Sequence, residues 1–271
     1  MHLVTRSRQV RVWLTAAVES YESQTYGDQI AGVYDELYDG LFDTAGAVEF
    51  LSGLARGGRA LELGIGTGRI ALPLQRAGVK ISGVDASQAM IDRLRAKPGG
   101  DSIPVAIGDF REPPVTGPFD LVFVAFNTFF GLPSQDEQIA CFQAVASLLS
   151  EDACFVLEAF VPDLSRFDRH QRVSVDEVML DQVRLEITRH DPVSQRIDSQ
   201  HVILSEEGTR LYPVRIRYSY PGELDLMAQL AGLVLRDRWG DWRRGPFTSE
   251  SHGHVSVYGS SPGTQPRAVR S

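Results

Sequence analysis

The sequence predicts an α/β protein: a doubly wound, mostly parallel seven-stranded sheet with an antiparallel β lid inserted after the fifth strand. Three observations predict it. An apolar run, Ala60 to Leu63, passes into Gly64-Ile65-Gly66-Thr67-Gly68 and then into a helical pattern from Arg69; glycine lets the backbone turn sharply and lets a ligand approach it closely. From Arg59 to Glu158 short apolar runs alternate with helical periodicity, the mark of parallel strands joined by crossover helices. From Val173 to Tyr220 the period changes to two, as in strands with one exposed face.

In chain order, residues 1–57 read as a helical arm and cap. Tyr34 and Tyr38 stand at i, i+4 and share one helix face, either as a packed aromatic stripe or as a cover over the site. Phe42 to Leu54 makes an amphipathic helix closed by Gly57-Gly58. The core, 58–160, takes strands at Ala60–Leu63, Lys80–Val84, Ile103–Ile107, Phe119–Ala125 and Ala153–Glu158. Ser87 caps the helix between the second and third strands, and Ser134 to Leu149 is another. Phe119–Ala125 is almost wholly apolar and therefore central. The lid, 161–220, holds three or more strands, from Val173–Leu185, Arg196–Leu204 and Arg210–Tyr220, with Asp191-Pro192 as a turn. Segment 221–259 completes the core sheet with a helix at Pro221–Leu230 and an antiparallel pair, Gly232–Asp237 and His254–Tyr258. The tail, 260–271, lacks an apolar pattern and reads as disordered.

A chain of 271 residues with 43% hydrophobic residues can bury a full core. Its net charge of -8 argues against a nucleic-acid partner, which calls for a basic footprint. Cys141 and Cys154 lie in apolar segments without metal-ligand spacing, so no metal is expected, and buried reduced thiols fit a cytoplasmic location. No apolar run is long enough to span a membrane. Arg11 abuts the short apolar stretch Val12 to Val18, which therefore reads as helical arm rather than leader.

The glycine spacing is informative. A dinucleotide fingerprint places its third glycine where Arg69 stands. Instead the stretch reads Glu62-x-Gly64-x-Gly66-x-Gly68, followed by Asp85 with Ala86 after the second strand, and Gly108-Asp109-Phe110 after the third. Asp85 at a strand end is a helix cap or an acceptor for two ribose hydroxyls, which a carboxylate serves better than an amide. This constellation resembles class I S-adenosylmethionine (SAM)-dependent methyltransferases, and most nearly the small-molecule branch with sugar N-methyltransferases and glycine N-methyltransferase. The resemblance implies SAM as cofactor, with S-adenosylhomocysteine as product. It implies that Asp109 takes the adenine amino group, that Phe110 or Met90 flanks the purine, and that Tyr26, Tyr38 and Phe126 also contact the donor.

A sulfonium is already activated, so such an enzyme mainly aligns the acceptor and excludes water. A base is needed only if the nucleophile arrives protonated; Tyr38, Glu158 and His170 are the candidates, with His190 and His201 in the lid behind them. The fourth strand ends in Ala125-Phe126-Asn127-Thr128-Phe129-Phe130, which lacks the Asn-Pro-Pro-Tyr type of loop found in nucleic-acid amino-methylases. Its phenylalanines read as an aromatic substrate wall or as core. Trp239, Trp242 and the charges around them form a substrate rim or a solvated loop. The resulting expectation is methyl transfer to N or O of a small specialised metabolite, an amino sugar foremost, with the lid as the candidate surface for a homodimer. C-methylation of an electron-rich ring, a silent SAM-binding protein and a nicotinamide dehydrogenase are the rivals.

Overall fold

The computed structural model describes residues 21–38 and 40–260, so the expectations for the first twenty residues and for the tail from 261 lie outside the described residues. Three helices come first: α1 (Thr25–Ile30), α2 (Tyr34–Tyr38) and α3 (Thr44–Ala55). The third begins two residues later than its apolar pattern suggests, because the Asp43 carboxylate accepts the Gly46 N–H at 2.9 Å and so caps it.

The core then alternates β1 (Arg59–Leu63), α4 (Ala71–Arg76), β2 (Lys80–Asp85), α5 (Gln88–Arg95), β3 (Val105–Ile107), β4 (Phe119–Val124), α6 (Gln135–Leu148) and β5 (Leu149–Phe160). After the lid come α7 (Pro221–Leu230), β10 (Leu233–Trp239) and β11 (Gly253–Ser260). The main sheet runs β10-β11-β5-β4-β1-β2-β3, with β11 antiparallel to its neighbours β5 and β10 and the remaining pairs parallel. Strand order reverses between β1 and β4. A crevice opens at such a point beyond the carboxyl ends of the strands, and ligands of open α/β sheets bind there.

Both sheet faces are covered. Phe50, Leu51, Leu74 and Ile81 belong to one apolar cluster, and Cys141, Phe142, Leu224 and Tyr258 to the other. Cys141 and Cys154 are free and buried, and burial pushes the Cys154 thiol up to about 11. Phe129 and Phe130 are fully buried, so they are core and not substrate wall.

The lid is a separate sheet of four strands: β6 (Gln171–Val178), β7 (Gln182–Asp191), β8 (Arg196–Ser205) and β9 (Gly208–Arg217), antiparallel in that order. The run Val173–Leu185 is thus two strands, separated by a turn over residues 179–181. Pro213 is tolerated in β9 because that strand is an edge. One lid face lies over the arm: Tyr212 packs in a cluster with Ile30, Ala31 and Met90. The opposite face leaves Val173, Val175 and Leu211 exposed.

Candidate active site

At the switch point, β1 delivers Glu62 and the glycine turn, and β4 delivers Phe126. Tyr34, Glu62, Gly64, Gly66, Arg69 and Phe126 are among the residues that line a hollow there. It measures about 30 Å³, far below the roughly 300 Å³ or more of a small-molecule site, because the arm lies over it. A more open groove of about 700 Å³ between α3 and α4 shares Gly68 and Arg69 with the turn. Glu49, Arg76 and Lys97 bring charge to its lining, but it offers no strand-end carboxylate, so the smaller hollow is the candidate site.

Gly64, Gly66 and Gly68 all have positive φ, at 72°, 54° and 79°, a region open to glycine at little cost. They differ in what surrounds them. A Cβ on Gly66 would meet only the Met90 methyl, at 3.7 Å, whereas one on Gly68 would fall 2.3 Å from Leu94 Cδ1. Gly66 therefore leaves space for a ligand, and Gly68 lets α5 pack against the turn.

Asp85, at the end of β2, accepts N–H bonds from Gly66 (2.7 Å) and Ser87 (2.9 Å), one on each oxygen. Burial raises its pKa, partly offset by bonds from the N–H groups of Ser87, Gly66 and Ala86. Gly108 N–H bonds to the Asp85 carbonyl at 3.0 Å, which sets the third strand end beside the second. Asp109 there pairs with Arg111 at 3.0 Å, and Phe110 packs against the core on the α6 side.

Glu62 is 5% exposed and its Oε2 has no hydrogen-bond partner. Burial, with help from the Asp85 charge, pushes its carboxyl up to about 8, against the opposing pull of Arg69 and the Ala71 N–H. Arg69, read only as the residue that breaks the dinucleotide spacing, stands over the Phe42 ring at 4.6 Å and the Phe126 ring at 5.6 Å. It also hydrogen-bonds to Tyr34. An orphaned buried carboxyl oxygen beside an arginine, in a cradle free of side chain at Gly66, suits a ligand that carries both an ammonium and a carboxylate.

The arm closes this mouth through polar contacts. Thr67 donates to Asp35 at 2.6 Å, Lys97 pairs with Asp35 at 2.7 Å, and Ser87 donates to Asp28 at 2.6 Å. The hydroxyls of Tyr26 and Tyr38 are 2.8 Å apart. Burial raises both phenols, and the lid carboxylates Asp176 and Glu186 raise Tyr38 further, so both are protonated at neutral pH. Asp176 and Glu186 were not singled out in the sequence; only the fold turns that lid face toward Tyr38.

The other two base candidates stand apart from Tyr38. Glu158 accepts Phe126 N–H at 2.7 Å and the Trp242 indole N–H at 2.8 Å, one on each oxygen. His170 is exposed at the base of the lid, with its ring 6.0 Å from His190. Trp242 is buried and bound to Glu158, whereas Asp241, Arg243 and Arg244 beside it are exposed, so the tryptophan braces the sheet and the charges are solvated. Among the described residues, no group of three or more His, Cys, Asp or Glu is placed to hold a metal, and no helix is long and apolar enough to cross a membrane.

A family model described as "Methyltransferase domain" matches residues 60–152. The solved structure of the CcbJ methyltransferase from Streptomyces caelestis superposes with a TM-score of 0.84 at 41% identity, over 89% of this chain and 100% of that one. The cypemycin N-terminal methyltransferase of Streptomyces sp is 27% identical over 233 residues, covering 85% of this chain and 95% of its own. SAM-bound CalS10, an amino pentose methyltransferase from Micromonospora echinaspora, is 20% identical with a TM-score of 0.63, over 83% of this chain and 96% of its own, and shares the fold. Identity of this extent along the whole of a methyltransferase, on a glycine turn that breaks the dinucleotide spacing at Arg69, excludes the dehydrogenase alternative: the chain belongs to the SAM-dependent methyltransferase family and is an enzyme with SAM as its cofactor.

Proposed function

We propose that the protein N-methylates a small natural product bearing a basic amine, with an amino sugar as the favoured acceptor. The observation that carries this reading is the lid face opposite Tyr38. Asp176 meets His201 at 3.9 Å, and Glu186 reaches Arg172 at 4.0 Å and accepts from the Ser174 and Ser199 hydroxyls at 3.5 Å, so two carboxylates with long contacts act on Tyr38. Such a surface attracts an ammonium and favours an amine over a neutral ring or alcohol. The relatives agree with this reading, since they include an N-terminal methyltransferase and an amino pentose methyltransferase. C-methylation of an aromatic ring is less well supported once Phe129 and Phe130 are core.

In this reading Gly64, Gly66 and Thr67 seat the donor, and Glu62 and Arg69 take its ammonium and carboxylate. Asp85 takes the ribose, and Gly108, Asp109 and Phe110 with Met90 the adenine. The donor supplies an activated methyl on sulfur. The acceptor nitrogen attacks with its lone pair, the nitrogen–carbon bond forms as the carbon–sulfur bond breaks, and the electron pair leaves with sulfur. The surplus proton passes to a lid carboxylate or water. Tyr38, a neutral phenol, aligns the amine, and the arm excludes water. A homodimer through the lid is supported by the exposed Val173, Val175 and Leu211, and a cytoplasmic location by the two buried thiols.

The test is calorimetric titration with S-adenosylhomocysteine, followed by a screen of amino sugars, other primary and secondary amines and phenolic metabolites for a mass gain of one methyl. Product with amines alone is expected, and Asp176→Asn with Glu186→Gln should raise KM for them. Product only with phenols would overturn the amine assignment.

A further inference from the structure

The turn after β4 places two consecutive non-glycine residues in the left-handed region: Phe126 at φ 56° and Asn127 at φ 59°. Such strain persists only where the surroundings over-determine it, and here four contacts do so. Phe126 N–H donates to Glu158 Oε2 at 2.7 Å, and Asn127 N–H to the Glu158 carbonyl at 3.3 Å. Asn127 Oδ1 accepts Phe160 N–H at 2.6 Å. Glu158 is itself held from behind by the Trp242 indole at 2.8 Å, and Trp242 packs edge-on against Phe50 of α3.

The outcome of this bracing is the place of one ring. Phe126 lines the hollow beside Glu62 and Gly64 and touches Phe42 (centroids 3.9 Å) and Tyr38 (5.3 Å). Phe42 and Tyr38 belong to the arm that covers the mouth; Phe126 belongs to the sheet. We propose that Glu158, locked by Trp242, is a positioning residue that fixes the Phe126 ring as the rigid wall of the donor cavity, facing the cationic sulfonium, while the arm is the part that opens. Arg69 already stands over one face of this ring at 5.6 Å, so the sulfonium takes the other; an aromatic face attracts a cation and is indifferent to a neutral thioether, so this wall favours SAM over S-adenosylhomocysteine.

The inference rests on the donor assignment above, and the test separates the two. SAM and S-adenosylhomocysteine are titrated into the wild-type protein and into F126L, E158Q, E158Q/F126L and E158Q/W242F, each checked by thermal unfolding. F126L and E158Q should each lower the preference for SAM by about five-fold, and E158Q/F126L by no more than either alone. In E158Q the amide must point its NH2 at one of two N–H donors. Removing the indole donor in E158Q/W242F frees the amide oxygen for Phe126 N–H, so the preference should return to within about two-fold of wild type. An unchanged preference in E158Q with turnover lost would make Glu158 a base and overturn the proposal. So would E158Q/W242F no better than E158Q. Wild-type protein that binds neither nucleoside would instead overturn the donor assignment, and this inference with it.

Discussion

Asp85 Oδ2 accepts the Gly66 N–H at 2.7 Å, so the carboxylate proposed to hold the ribose also holds the middle of the glycine turn. Gly66 and Ser87 each donate to one of its oxygens and the Ala86 N–H adds a third bond, which leaves one of the carboxylate's four acceptor sites for a hydroxyl. Asp85→Ala should therefore lose ligand contacts and turn geometry together. S-adenosylhomocysteine affinity should fall by roughly 1–3 kcal/mol, the cost of bonds to a charged acceptor. Asp85→Asn keeps one acceptor oxygen and should fall between. Calorimetry on folded variants measures both, and unchanged affinity would remove Asp85 from the ribose.

The glycines make contrasting predictions. At Gly66 a Cβ meets nothing closer than 3.7 Å, so Gly66→Ala should fold, with strain from φ 54° only, yet bind S-adenosylhomocysteine poorly because the methyl enters the cradle. At Gly68 the same methyl would collide with Leu94. Gly68→Ala should lower the melting temperature first, by an overpacking cost of about 1–3 kcal/mol. Parallel melting and binding curves distinguish the two. Equal behaviour would mean that the turn acts as one unit, without the division of labour drawn from the contacts.

What the sequence made legible follows from range. The strand-to-turn junction at Leu63-Gly64 and the carboxylate at Asp85 are set by local period and by glycine, so they could be read along the chain. The turn that splits Val173–Leu185 carries Met179, Leu180 and Asp181 and no glycine or proline, so nothing local marks it. Glu158 and Trp242 are 84 residues apart and meet only because β11 pairs with β5. Asp109, expected at the adenine, also pairs with Arg111 two residues on, a partner that the motif alone does not assign. Arg69 had the clearest unused signal: it directly follows the last glycine, where a charge must face the mouth or be buried.

Glu62 gives a pH prediction. Its folded pKa, about 8, exceeds the usual value of 4.5 because burial disfavours the charge. The folded protein therefore binds a proton that the unfolded chain has released, and Glu62's contribution to stability falls as pH rises from about 4.5 to about 8. Glu62→Gln should flatten that slope. A donor ammonium brought to the orphaned oxygen would favour the carboxylate, so binding SAM at pH 7 should expel about one proton. Titrations in buffers of different ionisation enthalpy count it. No released proton in wild type, or the same release in Glu62→Gln, would break the link.

Arg217 ties the lid to the core. It is 6% exposed and donates to Gln138 (2.7 Å), Ser219 (2.8 Å), Gln195 (2.9 Å) and Glu223 (2.6 Å), reaching from β9 to α6 and α7. Removing a buried charge leaves its partner carboxylate uncompensated, so Arg217→Ala should cost about 3–5 kcal/mol in denaturant unfolding. Arg217→Ala/Glu223→Ala should cost less than the sum of the two single changes, because the second removes the charge stranded by the first. The loss should be local as well as global. Amide exchange in β8 and β9 should quicken more than in β1 and β4, since the network anchors the lid and the parallel strands have their own core. Uniform acceleration across both sheets would show that the lid and core open as one unit, and that Arg217 is simply part of a single cooperative fold.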